Sequence, residues 1–173
     1  IVWENKSAED AYAMGRLIIE NPLNQMWSTA ILELEPNSGE IVWEWHSIDH
    51  IIQDVDDTKS NFGSVSGNPQ LIDINFNSND TGNLMHINGI DYDPDNNLIY
   101  LSVNFYSEVW VIDHSATTAI AASHSGGNYG RGGDLVGDLL LGPGVTIEQL
   151  AAPPLLGGGG RPRNARGCSS RRS

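Results

Sequence analysis

Residues 85–114 constrain the fold more than any other stretch. "MHINGIDYD", "NLIYLSVN" and "SEVWVIDH" alternate apolar and polar side chains and are separated only by "PDNN" and "FY". A period of two marks strands with one covered face. Links this short cannot make a crossover, so the three strands must run antiparallel as a meander. A second pair is predicted upstream, where "STAILELEPNSGEIVWEWH" sets two β-rich runs around the turn "PNSG". In its second run Ile41, Trp43 and Trp45 face one way, and Val42, Glu44 and His46 the other. The opening "IVWENKS" reads as a strand already under way, so a segment upstream of Ile1 is expected. "SAEDAYAMGR" predicts a short helix capped by Ser7 and Asp10 and stopped at Gly15.

Three or four meandering strands make one blade of a β-propeller, and the earlier hairpin belongs to another. The expected class is therefore all-β, a partial propeller of about two blades, which cannot close a ring by themselves. Residues 47–84 form a long connection in which "SIDHIIQDVDD" predicts a brief helix and "SNFGSVSGNPQ" a loop. From residue 135 onward Gly and Pro runs and clustered Arg replace alternation, apart from a helical turn or two in "VTIEQLAA". Residues 1–134 are thus read as the propeller part and 135–173 as a low-complexity Gly/Pro/Arg tail, expected to be disordered.

Charge narrows the partners. Residues 1–135 hold Lys6, Arg16, Lys59 and Arg131 against twenty acids, a balance of −16, while 136–173 carry five Arg against Asp138 and Glu148, a balance of +3. An acidic body repels nucleic acid and anionic membrane, so neither is expected as a partner. No apolar run is long enough to cross a membrane, and the chain shows no signal peptide. Cys168 is the single cysteine, which rules out an internal disulfide. Whether copies of the chain form a homo-oligomer stays open, although unpaired blade edges predict poor solubility.

The candidate site centres on His86. If the hairpin turns near Asp95, residues whose numbers sum to 190 face each other, so Tyr92 meets Leu98, Asn88 meets Ser102 and His86 meets Asn104; a slip of one would exchange faces. The first strand of a propeller blade lines the central channel, so His86, Asn88, Asn104 and parts of the long connection are expected at its mouth. The plain alternative for His86 is a surface residue or local hydrogen-bonder. His46 and His50 are four apart, a metal-binding spacing on a helix, but His46 ends a strand and no third ligand is evident. No metal and no cofactor are expected. His114 and His124 flank a Ser/Thr/Ala loop and are expected to be exposed. "DYDPDNN" begins like a calcium loop, then fails at Asn96 and Ser102 and is read as a turn. "GGNYGRGGD" has neither phosphate-loop spacing nor Lys; it is read as a flexible loop that presents Arg131 near exposed backbone amides.

Together, "GEIVWEWHSIDHIIQD", "LMHINGIDYDPDNNLIYLSVNFYSEVWVIDHS" and "SHSGGNYGRGGD" resemble the bacterial arylsulfotransferase family over residues 1–134, about three-quarters of the chain. The resemblance implies a six-bladed propeller, a periplasmic or secreted setting, and transfer of a sulfuryl group from a phenolic sulfate ester to a phenol acceptor. It implies a histidine nucleophile that carries the group, with other histidines and an arginine around the sulfate. His86 matches the histidine that stabilises sulfate. The family arginine falls where this chain has Asn104, so either Asn88, Asn104 and Arg131 bind the substrate in its place or the site is weakened. The paired-histidine segment would precede Ile1 and the nucleophile would follow the glycine-rich loop. A piece truncated at both ends and inactive in isolation is therefore expected; a non-catalytic propeller that binds a ligand or partner is the alternative.

Overall fold

The computed structural model describes residues 1–76 and 82–140. Cys168, "VTIEQLAA" and all of 141–173 lie outside the described residues. The fold is all-β, with two antiparallel meanders and a small parallel pair between them in sequence.

The first sheet contains β1 (Val2–Ser7), β2 (Gln25–Leu34) and β3 (Ile41–His46) in that order. The opening segment is indeed a strand, antiparallel to β2 from Val2↔Ala30 to Ser7↔Gln25. Between them sits α1 (Ala8–Ala13), where Ser7 accepts from the Asp10 amide at 3.0 Å and returns its hydroxyl to the Asp10 carboxylate at 2.7 Å. This reciprocal cap satisfies a donor that the first turn leaves unpaired. Gly15 follows at φ 87°, a left-handed conformation that stops the helix. On β3 the alternation holds for Trp43 and Trp45, both buried, whereas Ile41 lies beyond a register shift opposite Glu33 and Leu34 and is exposed.

The long connection is more structured than its composition suggests. A 3-10 turn at Ser47–His50 leads into β4 (Ile51–Ile52), which pairs in parallel with β5 (Ile72–Asp73). Gln53 is fully buried there, and its side-chain oxygen caps the amides of Val55 and Asp56.

The second sheet is a four-stranded meander in chain order: β6 (Ile87–Asp93), β7 (Leu98–Val103), β8 (Glu108–Asp113) and β9 (Gly137–Leu140). Between β8 and β9 lies α2 (Thr118–Ala121). The β6–β7 register sums to 191 from Gly89↔Ser102 to Asp93↔Leu98, one off the expected value, and returns to 190 at Ile87↔Val103 through a bulge at Asn88. The "DPDNN" turn is held by Asp93, whose carboxylate accepts from the amides of Asp95 and Asn96, so its acids serve a turn. Strand β9 lies beyond residue 134 and adds to β8 at Val111↔Gly137, so sheet structure continues into the segment read as a tail. One apolar cluster, including Trp45, Ile74, Leu84, Leu101, Trp110 and Leu135, runs under both sheets. Among the described residues no buried side-chain nitrogen or oxygen lacks a partner.

Candidate functional site

His86 stands just ahead of β6 with φ 51°. The left-handed conformation is costly for a side chain with a Cβ, by about 1–2 kcal/mol, so the surrounding structure must impose it. Asn83 does so. Its Oδ1 accepts the His86 amide at 3.0 Å, and its Nδ2 meets His86 Nδ1 at 2.9 Å. Because Oδ1 is committed to an N–H, the amide group is oriented and Nδ2 must be the donor. His86 Nδ1 therefore accepts, and in the neutral ring Nε2 carries the hydrogen. The site presents an N–H donor, with the lone pair turned inward.

Asn83 is itself placed by β2. The Trp27 amide bonds Gly82 O at 2.8 Å, and the Leu84 amide bonds Trp27 O at 3.1 Å. Residue 82 must be glycine, since φ is 82° and any Cβ would run into Gln25 O. On the other side His86 stacks on Phe105, with centroids 5.0 Å apart and planes at 21°, and Trp3 approaches at 6.4 Å. Phe105 belongs to a tight turn, Asn104–Tyr106, that replaces the expected two-residue link. Tyr106 anchors that turn: its ring packs on Trp110 and Phe76, and its hydroxyl donates to Asp73 O at 2.7 Å. Burial pushes the Tyr106 hydroxyl far above its usual range, so it remains a donor. Arg16 lies buried nearby with its guanidinium on the carbonyls of Ile74 and Ile18.

The other expected site residues separate into two groups. Asn104 does come to His86, its amide donating to His86 O at 3.3 Å, and it is exposed. Asn88 is exposed at the bulge beside them. Arg131 is exposed on the glycine-rich loop with Nη1 on Leu135 O at 2.9 Å, a partner within its own loop and shared with none of the other three.

The histidine pairing suggested by the His46–His50 spacing gives way to long-range partners. His46 ends β3 between Glu4 and Glu44, at 3.2 and 3.4 Å. His50 is fully buried and meets Asp134 Oδ1 through Nδ1 at 2.8 Å and Ala121 O through Nε2 at 2.9 Å. His124 reaches the same Asp134 oxygen at 2.7 Å. His124 is exposed as expected, whereas the His114 side chain is only 17% exposed, between Trp43, Tyr92 and Glu33. Asp134, the acid that brings His50 and His124 together, lies 84 residues from His50, beyond the reach of local spacing. The acid that closes "GGNYGRGGD" is the signal the sequence offers, and its burial appears only in the fold.

The model of the family described as Arylsulfotransferase (ASST) matches residues 19–126, more than half of the chain and inclusive of β2 through His124. The chain belongs to the arylsulfotransferase family. No curated protein and no solved structure matches it. For an arylsulfotransferase-family chain, an arylsulfotransferase-like function follows in general terms, with small aryl sulfates and phenols as the substrate class. Among the described residues no helix is long and apolar enough to cross a membrane.

Proposed function

We propose that this chain is part of a sulfuryl transferase in which His86 donates its Nε2–H to a sulfate oxygen of a phenolic sulfate ester. The observation that carries the reading is the tautomer fixed by Asn83: a neutral imidazole aimed as a donor suits charge on sulfuryl oxygens. A nucleophile would need the lone pair outward, so this ring fits stabilisation and transfer through a different histidine. Asn104 and Asn88 supply neutral donors beside it, and Arg131 serves the substrate only if its loop closes toward β6. The four-stranded meander with β6 at its edge supports a propeller blade whose inner strand carries His86 at the channel mouth. The setting proposed is periplasmic or secreted. The resemblance puts the nucleophilic histidine beyond the glycine-rich loop, several strands later, so this chain alone is expected to be inactive.

Two measurements test this. Titration with phenyl sulfate should show binding that His86→Ala weakens at least tenfold, about 1.4 kcal/mol, as for a charge-assisted hydrogen bond. Equal affinities would remove His86 from the site. Single-turnover incubation with radiolabelled phenyl sulfate should leave no label on histidine; label on any of the five histidines would refute inactivity. Asn104, which brings no positive charge where the resemblance expects arginine, favours a second reading: a binding module without turnover. That reading predicts that supplying the full propeller restores affinity but no transfer.

A further inference from the structure

We propose that His50 Nδ1, Asp134 Oδ1 and His124 Nδ1 form a binding site for a divalent transition-metal ion of the zinc type. These three donors lie within 4.8 Å of one another. The argument begins at the far side of His50. Its Nε2 faces the Ala121 carbonyl oxygen at 2.9 Å, and a carbonyl can only accept. Nε2 therefore carries a hydrogen, and Nδ1 faces Asp134 Oδ1, 2.8 Å away. A ring nitrogen and a carboxylate oxygen at that distance, on side chains that are 0% and 4% exposed, need a positive centre between them, supplied by a shared proton or by a metal ion. An N–H bonded to a backbone carbonyl on the opposite side is also how a metal-bound imidazole is commonly fixed.

The surroundings are preorganised. The His50 ring lies parallel to Trp45 at 5.4 Å, and Trp45 Nε1 donates to Gly133 O at 2.7 Å, which ties the loop carrying Asp134 to β3. His124 completes the set from outside, with 60% of its side chain exposed. It borders a cleft of about 600 Å³ that Asp49, Ser60, Asn61 and Asn68 also line. Three protein ligands, one of them bordering a cleft, match the ligand count of a zinc centre that takes water or a small ligand as its fourth partner. The field of the acidic body draws cations to it. A tetrahedral ion about 2.0 Å from each donor spaces them roughly 3.3 Å apart. Loading must therefore open the contacts to Asp134, and His124, the exposed member, is free to move.

The test uses the full chain stripped with a chelator. Zinc titrated calorimetrically should bind one ion per chain, and cobalt should give the visible bands of tetrahedral coordination. His124→Ala should weaken both more than about tenfold while leaving the circular dichroism spectrum of the metal-free chain unchanged. Asp134→Asn should abolish the cobalt bands. The proposal is overturned if cobalt gives no such bands, if His124→Ala binds zinc as the parent does, or if nitrogen NMR of the zinc-treated protein shows both His50 nitrogens protonated, which puts a proton where the ion is assigned.

Discussion

Replacing Gly133 by alanine adds one methyl group at the most crowded point of the glycine-rich loop. Its Cβ would fall inside the van der Waals envelope of the Ala121 carbonyl oxygen and 2.7 Å from His50 Nε2. The obstacle is backbone, which cannot swing aside like a side-chain tip. Relief requires the loop to lift, and that breaks the Trp45 bond to Gly133 O, the Gly133 amide bond to Ser123 O at 3.0 Å, or the His50 bond to Ala121 O. Overpacking costs about 1–3 kcal/mol, and each buried partner left unpaired about 1–3 kcal/mol more, so a loss near 4 kcal/mol is expected. Gly130→Ala in the same loop is the control: its φ is 73° but nothing lies within 4 Å of the added Cβ. It should lose only the backbone cost of about 1–2 kcal/mol. Urea denaturation of both variants, followed by tryptophan fluorescence, reads the difference as a shift in midpoint at constant slope. Gly133→Ala no less stable than Gly130→Ala would refute the account of how this loop is seated.

Leu101→Ala should lose about 2–5 kcal/mol, because Leu101 is fully buried at the centre of β7 with Leu84 and Trp110 in the same cluster; a loss below 1 kcal/mol by urea denaturation would place it outside the core. Asp73 tests pH dependence. Burial raises its carboxyl above the ordinary value and Asp54 adds to this, against opposing help from the Asn75 amide and Arg16. The folded chain thus holds that proton more tightly than the unfolded one, a stabilisation present at low pH and lost as pH rises through the raised value. Asp73→Asn should therefore gain stability at pH 7 and match the parent below about pH 4; an equal gain at both would exclude ionisation as the cause.

The meander was legible because alternation and turn residues agree locally. The bulge was not. Asn88 looks the same in sequence whether or not it bulges, so five of the six β6–β7 pairs are displaced by one from the expected register. The left-handed backbone at His86 was hidden too, since it comes from Asn83 and the neighbouring strand β2. His86 and Asn104 were paired correctly because the bulge restores the count at that end. His50, His124 and Asp134 escaped because their meeting depends on a loop that closes over long sequence separations. Glycine content reads as flexibility, yet here it allows the backbone to approach a buried ring.

The twist at residue 86 also decides how substitutions there must be interpreted. Alanine inherits the same unfavourable dihedral, so comparing it with the parent isolates the imidazole. Glycine relaxes the chain by about a kilocalorie per mole while deleting the ring as well. Measured side by side, the two variants separate what the chemistry of that position requires from what its conformation costs.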